Sequence, residues 1–313
     1  MKFLIGANPM GLEKAIPDLQ KKYPDIQFVH APDRAKLVDD IADAEVYVGW
    51  ISREAFLAAK KLKWIQSPSS GINYYLAIPE LVASDVILCS ASGTHGACLA
   101  ESALGMIFAF TRGIRASIQA QPEHKWVAQQ VRPHLFELTE STIGIVGFGR
   151  VGRAIAKRAA AFDARILGVD MFPSNKPDYV AELWGLDKLD ELLKQSDFVI
   201  VTVPYTPDTH GMIGAAQLAL MKPTAMMVGI SRGGIIDQVA LTAALKEGKL
   251  AAAALDVCEP EPLPADNPLW DAPNLLLTPH IAGRSPEAMQ ASVDKVIANV
   301  QAWFSGQPLL TPL

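Results

Sequence analysis

The chain has 313 residues, room for about two domains of roughly 150 residues each. It is 50% hydrophobic and 19% charged, which supplies material for packed cores, and its formal net charge of −5 argues against a nucleic-acid partner. No unbroken apolar run reaches the length of a membrane span, so no membrane partner is expected. The cysteines, Cys89, Cys98 and Cys258, are widely spaced and form no CxxC pair or metal cluster, so no metal is expected and a reducing, cytoplasmic setting fits.

The N-terminal "MKFLIGANPM" does not read as a signal peptide, because its apolar run is short and "GLEKAIPDLQKKYPD" follows. In the first hundred residues the predicted strands are "FLIGA", "IQFVH", "VYVGW", "KWIQS" and "VILCS". Helix-like stretches such as "DRAKLVDDIADA" and "SREAFLAAKKL" separate them. This alternation predicts a parallel sheet covered by helices.

A second zone starts near Cys98. "GACLAESALGMIFAFTRGI" is too long for a strand, lacks an internal proline and reads as a buried helix that stops at Gly113. The stretch that follows, "RASIQAQPEHKWVAQQVRPHLFELTEST", reads as less regular and wetter. Alternation then resumes with strands "IGIVG", "RILGV", "FVIVTV", "AMMVGI", "AAAAL" and "LLLT". Between them lie the helices "DKLDELLKQS" and "DQVALTAALKEGKL", the latter with Asp237 as N-cap and Gly248 as stop. The last helix, "SPEAMQASVDKVIANVQAWFSG", begins with Ser285 as cap and Pro286 in its first turn. If it packs back on the first zone, the chain divides into a discontinuous domain, 1–97 plus 285–313, and a continuous one, 98–284.

The strongest local signal is "TIGIVGFGRVGRAIAKRAAAFDARILGVD". Gly147, Gly149 and Gly152 form G-x-G-x-x-G between an apolar strand and an Ala-rich helix. A second strand follows and ends in Asp170, close to the spacing of about 20 residues that a dinucleotide fold requires. Gly147 permits the tight turn, Gly149 lets backbone approach a pyrophosphate, and Gly152 lets helix pack on strand. The helix N-terminus offers N–H groups and a partial positive charge to phosphate. Asp170 can accept from both ribose hydroxyls and would repel a 2′-phosphate. The following "MFPSN" brings no arginine to welcome one, so NAD is favoured over NADP.

Three polar landmarks follow, each just past a predicted strand: Arg232 in "GISRGGIID", Glu261 in "LDVCEPEPLP" and His280 in "LLLTPHIAG". Singly each is ordinary, and His280 taken alone reads more readily as a hydrogen-bonded structural histidine. Together they form a cation, a carboxylate and an imidazole at the strand ends where open α/β sheets bind ligands.

In these motifs the chain resembles the D-isomer-specific 2-hydroxyacid dehydrogenases, which include glyoxylate/hydroxypyruvate reductases and D-lactate dehydrogenases. "GIVGFGRVGRAIA", "VTVPYTPDTHGMIG", "SRGGIIDQVAL", "ALDVCEPEPLPADNPLW" and "LTPHIAG" match the family's signatures in order over nearly the whole chain. The resemblance implies that Arg232, Glu261 and His280 are catalytic. His280 would exchange a proton with the substrate oxygen, an imidazole's ordinary pKa of roughly 6.5 suiting that traffic. Glu261 would favour the protonated imidazole and orient it, and Arg232 would grip the substrate carboxylate and polarise the carbonyl. Arg150, Val151, Val203, Pro204, Thr209, Ile230, Ser231 and Gly283, with His280 itself, are expected beside the cofactor. Asp256 matches a family acid near the nicotinamide, or caps the following loop. "SPSSGINYY" resembles the loop whose backbone N–H groups hold the carboxylate, around Ser70, Gly71 and Ile72. Trp50 either walls the substrate side chain or packs as a core aromatic. "SGTHG", with His95, matches no assigned motif.

These readings predict an α/β protein of two doubly wound parallel-sheet domains, a Rossmann NAD domain and a flavodoxin-like substrate domain, with a cleft between them. The expected reaction is NADH-linked reduction of a 2-keto acid of the glyoxylate, hydroxypyruvate or pyruvate type to the D-2-hydroxy acid. The family implies a homodimer that uses the segment from about Cys98 to Thr142. Family formate dehydrogenases carry Gln where this chain has Glu261, which disfavours formate. The alternatives are a reductase for bulkier 2-keto acids such as phenylpyruvate, and an NAD-sensing binding protein of corepressor type.

Overall fold

The computed structural model describes residues 1–7 and 11–312. The chain divides into two compact units, Met1–His95 with Ser285–Leu313, and Gly96–Arg284.

In the first unit, β1 (Lys2–Ile5), β2 (Gln27–His30), β3 (Val46–Val48), β4 (Trp64–Gln66) and β5 (Ile87–Cys89) form a parallel sheet in the order β2-β1-β3-β4-β5. That is the flavodoxin-like order. Both faces are covered, because alternate residues of each strand point to opposite sides. Leu4, Tyr47, Ile65 and Leu88 pack on one side with Ile41, Ala55 and Tyr75. Phe3, Ile5, Val46, Val48 and Trp64 pack on the other, where Val293, Val296 and Val300 of the last helix meet them. That helix, Pro286–Phe304, starts at Ser285, whose side chain accepts from the N–H of Ala288. Its buried Asn299 donates to Oε1 of Gln66 at 2.7 Å, and its Trp303 stacks on Trp64.

In the second unit, the strands are β6 (Thr142–Val146), β7 (Arg165–Val169), β8 (Glu182–Trp184), β9 (Phe198–Val201), β10 (Met226–Gly229), β11 (Ala252–Leu255) and β12 (Leu275–Leu277). They are parallel, in the order β12-β11-β10-β9-β6-β7-β8. Counted from β6 this contains the Rossmann order 3-2-1-4-5-6, whose direction of winding reverses between β6 and β9. Phe198 and Ile200 face helices Gly96–Thr111 and Arg150–Ala160. Val199 and Val201 face the opposite layer, with Leu192, Leu193 and Leu241. Burial of both faces explains why these strands read as unbroken apolar runs.

Two elements differ from the sequence reading. β8 was not predicted. It is a three-residue edge strand, partly exposed, in a proline-interrupted stretch where no periodicity can develop. The stretch after Gly113 is also more regular than expected. Gly113 does end the long helix, with φ 67°, but a second helix, Ile114–Ala120, follows it directly. Its exposed Ile114 and Ile118 break the amphipathic pattern that would announce it. The Asp237 cap and the Gly248 stop form as predicted: Asp237 accepts from the N–H groups of Val239 and Ala240, and Gly248 has φ 66°. Among the described residues no single helix is long and apolar enough to cross a membrane.

Candidate active site

The glycine loop joins β6 to helix Arg150–Ala160. Gly147 has φ 95°, and a Cβ there would come within 2.8 Å of the backbone nitrogen of Val203. A Cβ on Gly152 would lie 2.2 Å from the carbonyl oxygen of Gly147, so glycine is what lets the helix seat against the turn. At Gly149 a Cβ would meet nothing within 4 Å, and no side chain caps the helix that this residue begins. The loop therefore leaves open space where a side chain at Gly149 would stand, at the N-terminus of the helix. That is the cradle a pyrophosphate needs, and the residues present fit a dinucleotide.

Asp170 stands at the end of β7. Its Oδ2 accepts from the N–H of Phe148 inside the glycine loop, at 2.6 Å, and its Oδ1 from the N–H of Phe172, at 2.9 Å. The carboxylate thus ties the loop to the neighbouring strand end and leaves further acceptor capacity. Across the switch point, after β9, Val203 and Thr209 are buried. Thr209 donates to the carbonyl of Pro204 at 2.7 Å, which closes that loop on itself.

Arg232, Glu261 and His280 follow β10, β11 and β12. Those strands are successive neighbours in the sheet, so the topology brings to one sheet edge three side chains far apart in sequence. Nδ1 of His280 lies 2.6 Å from Oε2 of Glu261. The other carboxylate oxygen, Oε1, accepts from the N–H of Cys258 at 3.0 Å, which fixes the carboxyl plane. Burial pushes the Arg232 guanidinium down from its ordinary value, and the charge of Glu261 opposes that shift. Arg232 donates to the carbonyl of its neighbour Ser231 at 2.6 Å, and Ile230 before it is buried. Burial also pushes the Cys258 thiol up, and Glu261 adds to the effect.

His280 has a left-handed backbone, φ 53°, uncommon for a residue with a side chain. Asp256 supplies the framework. It is buried, and its carboxylate caps the loop that carries His280 and runs on to Gly283. Of the two roles the sequence leaves open for Asp256, loop capping is the one these contacts show. Thr278, which donates to that carboxylate, and Phe148, which donates to Asp170, escaped the sequence reading because both act through backbone or short side-chain bonds that no motif displays.

In the first unit, Trp50 stacks on Tyr75, with ring centroids 5.7 Å apart, and meets Tyr74 edge-on. It is part of an aromatic cluster yet only partly buried. Oγ of Ser70 donates to the carbonyl of Ala91 at 3.1 Å. The N–H of Gly71 is given to Oγ of Ser69 at 3.1 Å, so this expected donor already has a partner within its own loop. Ile72 packs against the same core as Trp50 and precedes helix Asn73–Leu76. Among the described residues no group of three or more His, Cys, Asp or Glu side chains is placed to hold a metal ion.

Residues 104–282 match the family model described as D-isomer specific 2-hydroxyacid dehydrogenase, NAD binding domain. The chain belongs to that family. It is 35% identical over 284 residues to a glyoxylate reductase of Korarchaeum cryptofilum, covering 88% of this chain and 84% of the relative. It is also 35% identical over 281 residues to the D-3-phosphoglycerate dehydrogenase of Methanocaldococcus jannaschii, but spans only 52% of that longer protein. Among solved structures, the NADPH-dependent glyoxylate/hydroxypyruvate reductase of Sinorhizobium meliloti superposes with a TM-score of 0.85. Sequence identity is 26%, and the match covers 100% of this chain and 98% of that one.

Proposed function

We propose that this family member is a D-2-hydroxyacid dehydrogenase that reduces a small 2-keto acid, of the glyoxylate, hydroxypyruvate or pyruvate type, with NADH preferred over NADPH. The observation that carries the proposal is the His280–Glu261 pair, 2.6 Å apart, at the same sheet edge as Arg232 and on the same unit as the glycine cradle. The names of the Korarchaeum and Sinorhizobium relatives support the substrate class.

A nicotinamide dinucleotide, when bound, supplies the hydride that reduces the carbonyl carbon. The chain supplies everything else. With Nδ1 of His280 committed to Glu261, Nε2 is the nitrogen left to give a proton to the carbonyl oxygen. Glu261 fixes the ring and offsets the charge of the imidazolium. Arg232, whose planar fork matches a carboxylate, holds the acid group of the substrate and draws electron density from the carbonyl. In the first unit, the loop around Ser70, Gly71 and Ile72 is assigned to the same carboxylate and Trp50 to the substrate side chain. Gly147, Gly149, Gly152, Arg150 and Val151 are assigned to the pyrophosphate. Val203, Pro204, Thr209, Ile230, Ser231, Asp256 and Gly283 line the nicotinamide side. Asp170 is assigned to the ribose hydroxyls, where its charge disfavours a 2′-phosphate even though the Sinorhizobium neighbour is NADPH-dependent. The proposed working form is a cytoplasmic homodimer.

Oxidation of NADH and of NADPH, followed with glyoxylate, hydroxypyruvate, pyruvate and phenylpyruvate, tests this reading. The expected result is turnover of the small acids with at least a tenfold preference in kcat/KM for NADH, about 1.4 kcal/mol. Asp170→Ala should narrow that preference. Equal use of NADPH by the parent protein would remove Asp170 from the ribose site, and no turnover of any 2-keto acid would sink the proposal.

A further inference from the structure

The segment after β7 starts at Asp170 and runs through Met171, Phe172, Pro173 and Ser174 to Asn175. Packing does not hold it. Met171 is 57% exposed and Phe172 79%, and Asn175 has a left-handed backbone, φ 48°. Hydrogen bonds hold it instead, and one side chain from outside the segment supplies two of them. Arg153, in the first turn of helix Arg150–Ala160, donates through Nη1 to the carbonyl of Asn175 at 2.8 Å and through Nη2 to that of Ser174.

The same guanidinium lies over the ring of Phe148, 5.2 Å from its centroid. Phe148 belongs to the glycine loop, is 2% exposed, and gives its N–H to Oδ2 of Asp170. Oδ1 of Asp170 accepts from the N–H of Phe172. These contacts close a ring. It runs from Arg153 to Ser174 and Asn175, back along the segment to Phe172 and Asp170, across to Phe148, and so to Arg153 again. The near end of the segment is tied to the glycine loop and the far end to the helix that this loop begins. An arginine suits the closing position: its planar fork reaches two successive carbonyls while its face rests on an aromatic ring.

We propose that Arg153 is a positioning residue for cofactor selection, its guanidinium latching Ser174 and Asn175 to the helix so that the segment keeps the Asp170 carboxylate at the ribose site. This rests on the reading of the glycine loop and Asp170 as the dinucleotide site. Through the latch, Arg153 acts on discrimination between NADH and NADPH and not on the chemical step.

Arg153→Lys keeps the charge and loses the fork, and Arg153→Met keeps an apolar stem on Phe148 and loses both. In each, the Kd for NADH should rise about fivefold and that for NADPH stay within about twofold, with kcat at saturating NADH within about twofold of the parent. Amide exchange across residues 171–176 should speed up about tenfold. In an Asp170→Ala background, Arg153→Lys should narrow the discrimination no further. Parent-like discrimination and exchange in Arg153→Lys would overturn the latch, even if Arg153→Met differed, because charge alone would then account for the effect. A greater loss of affinity for NADPH than for NADH would overturn it too, making Arg153 a direct 2′-phosphate ligand. Further narrowing in the Asp170→Ala background would place its action elsewhere. If the parent binds neither nucleotide, or both alike, the dinucleotide reading fails instead. Exchange across residues 171–176 then decides the latch by itself, and parent-like rates in both variants overturn it.

Discussion

His280 is held from two directions, with its backbone in a left-handed turn and its ring on the carboxylate of Glu261. Its side chain is nevertheless 45% exposed, so little packing is lost when it is removed. His280→Ala should therefore lower kcat for reduction by ~10²–10⁴, the range for removing a positioned acid. Its melting temperature should stay near that of the parent. A destabilised protein with normal specific activity would return His280 to a structural role. Glu261→Gln tests the partner by two routes. Glu261 holds Nδ1 of the ring at 2.6 Å, so an amide in its place, without the charge that balances an imidazolium, should lower kcat for reduction. The same charge, after burial, holds the Cys258 thiol above its usual range. The thiolate is the reactive form, so Glu261→Gln should speed alkylation of Cys258 by iodoacetamide at about pH 8. Unchanged alkylation and unchanged turnover would show that Glu261 exerts no field at this edge.

The glycine loop separates a packing requirement from a binding one. A methyl group at Gly152 would press on the carbonyl of Gly147 at 2.2 Å and on Ile145 at 3.1 Å. Gly152→Ala must push the helix Arg150–Ala160 off β6, and it should lose about 1–3 kcal/mol of stability by chemical denaturation. At Gly149 the space is open, φ is −73°, and an alanine fits. Gly149→Ala should keep the parent's stability and weaken NADH binding at least tenfold by intruding where the phosphates lie. Equal NADH affinity in Gly149→Ala would put the dinucleotide somewhere else. These glycines were legible because their spacing is a backbone requirement written directly in sequence. The central strands were legible for a different reason: buried on both faces, β9 reads as the apolar run Phe198–Val201. β8 and helix Ile114–Ala120 were not, since one is three residues long at an edge and the other exposes two isoleucines. The left-handed turn at His280 and the particular donors that Asp256 caps were hidden too. They depend on hydrogen bonds between residues more than twenty positions apart, and no local pattern encodes them.

For the molecule as a whole, each unit has its own sheet with two covered faces, and the last helix completes the core of the first. The apolar surface left uncovered is unevenly spread. Trp126 is 93% exposed and Ile118 62%, and Ile114, Leu135 and Phe136 are exposed in the same stretch, downstream of Gly113. Fully burying one large apolar side chain gains about 1.5–3 kcal/mol, so this stretch carries a substantial unspent driving force for association. It is also part of the segment that the family resemblance assigns to a dimer contact. The chain should therefore sediment at micromolar concentration with twice the mass of one chain. Ile118→Asp combined with Trp126→Ser places a charge and a hydroxyl on that surface. Both positions are solvent-facing within the chain, so circular dichroism of the double variant should match the parent while its sedimenting mass halves. A parent protein that sediments as a single chain, or a double variant that remains dimeric, would show that this stretch is exposed for some other reason.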